Sequence, residues 1–206
     1  MTSDAMTRPD TGASKTLFAD LLLHRRSVPA MRLVAPGPSA AQQDVLLTIA
    51  ARVPDHGALT PWRFIVAEGA ARTRLAEQLA AACTASAADA AAKEQAEKTA
   101  QKLRVLFGHP PLVVIVVARA DANAKIPVLE QTLSAGAACM NLINAATALG
   151  FGANWLTGWA AAHPAARPLL GLQDGESIAG IIPVGTAMET PADRPRPAPA
   201  SIVTRL

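Results

Sequence analysis

Three short stretches of this chain carry side chains whose types and spacing could do chemistry. The first is His24-Arg25-Arg26-Ser27. Two planar guanidiniums and a hydroxyl in succession offer forked donors suited to a phosphate or a carbonyl-rich heterocycle. At the end of a helix the same arginines could simply complement the helix dipole. The second stretch runs Arg52-Val-Pro-Asp55-His56-Gly-Ala-Leu-Thr60-Pro61-Trp62-Arg-Phe64. It sets an arginine and an imidazole beside a strand edge, or it is a capped loop with Trp62 as core anchor. The third is Gly150-Phe-Gly-Ala-Asn-Trp155-Leu156-Thr157-Gly158-Trp159. Glycines bracket a short strand there, and a tryptophan can cover a planar aromatic ligand or fill the core.

Other chemistries leave no trace. There is no G-x-x-x-x-G-K-[ST] phosphate loop. Gly150-Phe-Gly152 follows a helix rather than a strand and lacks the third glycine of a dinucleotide fingerprint. No G-x-S-x-G elbow occurs. The four histidines and two cysteines show no metal spacing. A Cys/His catalytic pair is supported only by the presence of both residue types.

Composition narrows the class. The 206 residues suit one domain with a sizeable core, and a 50% hydrophobic share excludes a wholly disordered chain. The longest apolar run, Leu112 to Ala118, is far short of the roughly 20 residues that span a bilayer. Met1 to Ser14 has no apolar core of a secretory signal, and two distant cysteines fit a reducing cytoplasm. Lys plus Arg total 19 against 16 Asp plus Glu. Yet no basic run exceeds two residues, whereas nucleic-acid binders concentrate charge into a patch. The small groups Arg25-Arg26, Arg72 with Arg74, and Arg194 with Arg196 suit single phosphates better than a polymer.

The elements that must position these residues follow from pattern. Residues 1–13 read as a flexible leader. A first helix capped by Ser14 or Thr16 runs to about Arg25, and Ser27 to Pro38 is a loop. Ser39 and Gln42 form a capping box that opens a helix ending before Pro54. Trp62 to Ala67 reads as a strand broken by Gly69, and a helix follows through Cys83. Ala85 to Lys102, Ala-rich with a weak apolar face, predicts a surface helix or mobile excursion. Leu112 to Ala118 has the uniform apolar character of a central strand buried on both faces. Pro127 to Leu149 is the longest helix, small-residue-rich in its middle, and Gly150 stops it. Phe151 to Leu156 reads as a strand, His163 to Leu170 as a short helix, and Ile178 to Val184 as a strand. A Pro-rich extension from Glu189 ends in a β-prone segment, Ile202 to Thr204. Strands interleaved with helices predict α+β or α/β.

Taken in order, R-R-S near the start, A-R-x-P-D-H-x-x-x-x-P-W-R-F, A-L-G-F-G-x-x-W, and G-T-A before a basic Pro-rich tail, the chain resembles the FMN-dependent nitroreductase family. The likeness is greatest to its small YdjA-type branch, and it covers about Leu17 to Thr204. It implies an α+β fold with a mostly antiparallel sheet flanked by helices, residues 14–206 forming one such domain. It also implies an intertwined homodimer with FMN at the interface, in which the C-terminal arm, 189–206, crosses to the partner and adds a strand. The resemblance assigns Arg25, Arg26 and Ser27 to the FMN phosphate, ribityl chain and ring. It assigns Arg52 and His56 to flavin contacts from the other subunit, Trp155, Leu156 and Thr157 to the flavin ring, and Arg196 to the phosphate, with Arg194 a weaker candidate. Ala145 to Gly150 matches a stretch associated with the nicotinamide cofactor.

The implied reaction is ping-pong. NADH or NADPH passes a hydride to flavin N5, leaves, and is replaced by an electron-poor small molecule such as a nitroaromatic or quinone. The cofactor carries that chemistry, so no catalytic side chain and no metal is assigned. The alternative within the same fold is an FMN-binding protein used for flavin sequestration or processing. Neither nucleic acid nor membrane is an expected partner. Two departures stand out: Thr60 precedes Pro61 where Gln is common, and Leu156 follows Trp155 where a relative has Arg.

Overall fold

The computed structural model describes residues 12–206, with side-chain surroundings from Leu17 onwards. The expected leader lies outside the described residues, apart from its last two. These already belong to the first helix, α1 (Gly12–His24). The helix therefore starts before Ser14 and Thr16, so neither is its cap.

The sheet is built around a strand that has no polar side. β3 (Leu112–Ala118) is buried at every position. It pairs antiparallel with β2 (Trp62–Glu68) on one edge and β5 (Ser177–Ala187) on the other. β5 extends beyond β3 to pair with β1 (Leu33–Val34) and β4 (Gly152–Ala153), all antiparallel. The path is β1-β5-β3-β2, with β4 on β5. The period-2 alternation of a strand then sorts the core into two layers. Val113, Ile115 and Val117 join the cluster under α3 (Gly69–Ala85) and α4 (Ala90–Gly108). Leu112, Val114 and Val116 join the cluster under α2 (Ala40–Ala50) and α5 (Val128–Ala148). The fold is the α+β arrangement with a mostly antiparallel sheet that the sequence implied.

The Ser39/Gln42 capping box is present in both directions: the Ser39 N–H donates to Gln42 Oε1 (3.0 Å) and the Gln42 N–H to Ser39 Oγ (3.3 Å). Of the surface helix or mobile excursion expected over 85–102, the structure has the helix: α4 is largely exposed up to Lys102 but runs on to Gly108, where Leu103, Leu106 and Phe107 are buried beside α3. Three other expectations need correction. The strand expected over 151–156 is two residues long, plus a single bridge from Leu156 to Ile181. The helix expected from His163 to Leu170 is only a 3-10 turn at Pro164–Ala166. Ile202 to Thr204 forms no strand within the chain; it follows a 3-10 turn at Pro199–Ser201, and Ile202 and Val203 are exposed. Among the described residues no helix is long and apolar enough to cross a membrane.

Candidate ligand-binding site

The loop from α1 to β1 carries the first chemical stretch. It is pinned at both ends: the Val28 N–H donates to Ala153 O (3.0 Å), and the Met188 N–H donates to Arg32 O (3.0 Å). β4 and the end of β5 thus hold the loop in place. On one side it opens into a basin of about 260 Å³ lined by Arg25, Arg26, Ser27, Arg194 and Arg196. The C-terminal arm supplies the last two arginines, far away in sequence.

This cluster is electrostatically incomplete. The Nη1 atoms of Arg25 and Arg26 are buried without a hydrogen-bond partner. Asp193 stands 3.6 Å from Arg26 Nη1, too far for a hydrogen bond, and is largely exposed. Burial, then the charges of Arg196, Arg26 and Arg194, push the Arg25 guanidinium below its ordinary value. An arginine still remains protonated under such pressure. Buried cationic donors without acceptors are costly, and an anion in the basin would relieve both the repulsion and the lost hydrogen bonds.

On its other side the same loop borders an apolar cleft of about 470 Å³. Its walls include Met31 from the loop, Leu103 and Leu106 from α4, and Leu156, Thr157 and Trp159 from the third stretch. Leu156 is fixed by reciprocal bonds with Ile181, its N–H donating at 3.0 Å and its carbonyl accepting at 2.8 Å. The volume lies in the range of small-molecule pockets, roughly 300–1,000 Å³.

The sequence-derived candidates divide accordingly. Arg25, Arg26, Ser27 and Arg196 come together in the basin, and Leu156 and Thr157 line the cleft. Trp155 does not line it. Its Nε1 donates to Ala179 O at 3.0 Å, and its ring reaches Gly136 of α5 and Gly180 of β5. A Cβ at Gly180 would stand 2.5 Å from Trp155 Nε1 and 2.8 Å from Cys139 Sγ, so only glycine admits this seat.

Arg52 and His56 line neither space. Both are exposed on the loop between α2 and β2. His56 Nδ1 lies 2.8 Å from Glu130 Oε2 of α5 and borders a separate depression of about 310 Å³. Asp55 shapes this loop, accepting the N–H groups of Leu59 (3.1 Å) and Thr60 (2.8 Å). That helps hold Ala58 and Thr60 at positive φ, 52° and 47°. Trp62 is anchored as the plainer reading required, donating from Nε1 to Ser134 Oγ (3.2 Å), which donates to Pro54 O (2.7 Å). Sequence reasoning did not assign Met31, Leu103, Leu106 or Trp159 to the site. The recoverable signal was the apolar spacing of Leu103, Leu106 and Phe107.

A second arginine cluster lies elsewhere and is closed on itself. Arg63 of β2 donates through Nε to Glu176 Oε1 (2.7 Å) and through Nη2 to Oε2 (2.6 Å) and Gly171 O (2.9 Å). The Gln173 N–H also donates to Glu176 Oε2 (2.8 Å). Arg167 donates to the carbonyls of Glu176 (2.9 Å) and Gln173 (2.8 Å). The Arg63 hydrogen bonds, with the Gln173 N–H and the charges of Arg63 and Arg119, outweigh burial and hold the Glu176 carboxyl at about 2.

Fold and cavities together give an α+β protein whose α1–β1 loop carries a cationic basin and borders an apolar cleft. The chain belongs to the nitroreductase family, whose family model matches residues 23–186. YdjA of Escherichia coli (strain K12) is 36% identical over 167 residues, covering 81% of this chain and 86% of YdjA. YfhC of Bacillus subtilis (strain 168) is 29% identical over 182 residues, covering 88% and 90% respectively. Both carry NAD(P)H nitroreductase in their names. Among solved structures, a nitroreductase-like family protein from Bacillus cereus superposes with a TM-score of 0.75 at 20% identity, over 98% of this chain and 99% of that one. A nitroreductase with bound FMN from Bacteroides fragilis gives a TM-score of 0.69 at 19% identity, over 92% and 98%. These two likenesses establish the fold.

Proposed function

We propose that the chain is an FMN-dependent NAD(P)H oxidoreductase that reduces electron-poor small molecules. The observation that carries this reading is the basin of four arginines, two with buried unpaired Nη1 atoms, next to an apolar cleft on the same loop. FMN has a phosphate at one end and a planar ring at the other, and the residues present fit both. Arg25, Arg26, Ser27 and Arg196 would hold the phosphate and ribityl chain, assisted by Arg194. Leu156 and Thr157 would lie along the ring. When bound, FMN supplies the redox step: NAD(P)H and a proton reduce a quinone to a hydroquinone, or a nitroarene to a nitrosoarene and water, leaving NAD(P)⁺. The protein's share is to bind the phosphate, orient the ring and exclude water with the apolar walls. No acid or base among its side chains is required.

The purified protein should be yellow or take up FMN, and NADH or NADPH should bleach it under anaerobic conditions. Failure to retain added FMN would sink the proposal. FMN uptake without bleaching by either nicotinamide would select the sequestering role instead.

We further propose that the working unit is a homodimer. α5 exposes Val128, Leu129 and Leu133, and Leu59 of the loop that carries His56 is also exposed. A second chain covering this face would bury that apolar surface and put Arg52, His56 and Trp155 near a shared interface. The exposed tail, with Ile202 and Val203, is suited to add to a partner's surface. Deleting residues 195–206 should shift the sedimentation profile toward monomer at micromolar concentration; an unchanged dimer would refute the arm exchange.

A further inference from the structure

Trp159 is the large aromatic residue lining the apolar cleft, and its ring is held in place. Its indole stacks on the imidazole of His163, with ring centroids 4.6 Å apart and planes at 15°. His163 is itself fixed twice. Its backbone N–H donates to Trp159 O (2.8 Å), and its Nδ1 accepts the Ala165 N–H (3.2 Å). An imidazole accepting at Nδ1 carries its proton on Nε2, so its flat face is presented to the indole in one tautomer and one orientation. Trp159 also packs on the core beneath α3 and α4. The indole is therefore held by the imidazole and by the core while it lines the cleft.

The cleft wall is rich in carbon. Among the residues that line it, Lys102 is the only charged one, and it is exposed. Such a wall suits a neutral planar ring, and the electron-rich face of an indole suits an electron-poor one. Leu156 and Thr157, assigned above to the flavin ring, line the same cleft as Trp159. A molecule seated against Trp159 would thus share a cavity with the flavin.

We propose that Trp159, held in place by His163, is the specificity wall of this enzyme. It seats the apolar ring of a quinone or nitroarene acceptor and limits its size. His163 is a positioning residue that acts only through Trp159. The inference rests on the flavin-reductase reading and adds to it the residues that select the acceptor.

The test uses the full-length, FMN-loaded protein and three readings. These are the FMN dissociation constant by flavin fluorescence, the ratio of kcat/KM for two-ring menadione over one-ring 1,4-benzoquinone, and quenching of tryptophan emission by menadione in the oxidised protein without nicotinamide. In Trp159→Ala the menadione preference should rise about tenfold, the scale on which apolar pockets discriminate size. His163→Ala, which frees the indole, should raise it about threefold, and His163→Phe, which restores a flat support, should return it to the wild-type value. Trp159→Phe, the milder change, should remove most of the menadione quenching. FMN affinity should stay within about twofold throughout, since a 1.4 kcal/mol change would already be tenfold.

An unchanged acceptor ratio in Trp159→Ala with FMN retained overturns the inference and leaves the flavin reading intact. A tenfold loss of FMN affinity in Trp159→Ala also overturns it, because the wall would then belong to the flavin ring. Wild-type protein that binds no FMN overturns the underlying reading, and the inference with it. Failure of His163→Phe to rescue His163→Ala removes the positioning role of His163.

Discussion

Two arginine clusters sit at different places in this molecule, and their contrast shows where ligand chemistry lies. Around Glu176, Arg63 meets a carboxylate in bidentate geometry and a carbonyl, and Arg167 takes two more carbonyls. Around Ser27, Arg25 and Arg26 leave Nη1 atoms buried without partners, while Arg194 and Arg196 add like charge. The residue type is the same. In the first cluster a buried carboxylate is hydrogen-bonded to its arginine; in the second the one neighbouring carboxylate, Asp193, is exposed and stands 3.6 Å away, beside four arginines. A hydrogen-bonded cluster ties the loop over 171–176 to β2, whereas an under-compensated one keeps repulsion among its arginines that an anionic ligand releases.

The sharpest way to break the comparison is Glu176→Gln. It leaves Arg63 without its counter-charge, and stability should fall by about 3 kcal/mol in denaturant melts. FMN affinity in the folded fraction should hardly change. Acid should reach the same pair. Glu176 is held at about 2, below its ordinary 4.5, so the unfolded chain binds this proton more tightly than the folded one. The stabilisation is complete above the ordinary value and is lost as pH falls toward about 2. Its full extent is on the order of 3 kcal/mol. Glu176→Gln should flatten that part of the stability profile, and an unchanged acid limb would show the pair to be inert.

Arg25→Ala should do the opposite. Removing one of four like charges should leave the ligand-free protein no less stable in a thermal melt. FMN affinity should fall about 10- to 100-fold, the loss of one or two charge-assisted hydrogen bonds. If Arg25→Ala instead destabilises the protein and spares FMN binding, the two clusters have been assigned the wrong way round. Ser27→Ala gives the smallest effect, about a threefold loss of FMN affinity by titration, since it removes one neutral donor at an exposed position.

Much of the architecture was legible because it rests on local patterns. The all-apolar stretch 112–118 reads directly as a central strand, and its neighbours in register are β2 and β5. The capping box at Ser39 announces α2. α4 is the expected surface helix, but its end was not legible, because the apolar Leu103, Leu106 and Phe107 come late in the helix, after an alanine-rich first half. Trp155, Leu156 and Thr157 read as one wall in sequence. In the fold the bridge to Ile181 holds Leu156 at the cleft, while Trp155 turns to Gly136 and Gly180. Trp159 was marked only as one of two tryptophans in its stretch, since its place in the wall depends on α4 and its support on His163.

By itself the sequence determined the donors available for an anion, the strand at the centre of the sheet, and the family signature spread over the chain. Those properties depend on residue type and short spacing, which the chain states directly. Only the tertiary structure decided which arginines are hydrogen-bonded to a carboxylate and which are not. That depends on whether a carboxylate distant in sequence comes within hydrogen-bonding distance, as Glu176 does for Arg63 and Asp193 does not for Arg26. It also decided that the C-terminal arm brings Arg194 and Arg196 to Arg25, because charges separated by most of the chain interact only when folding closes the distance.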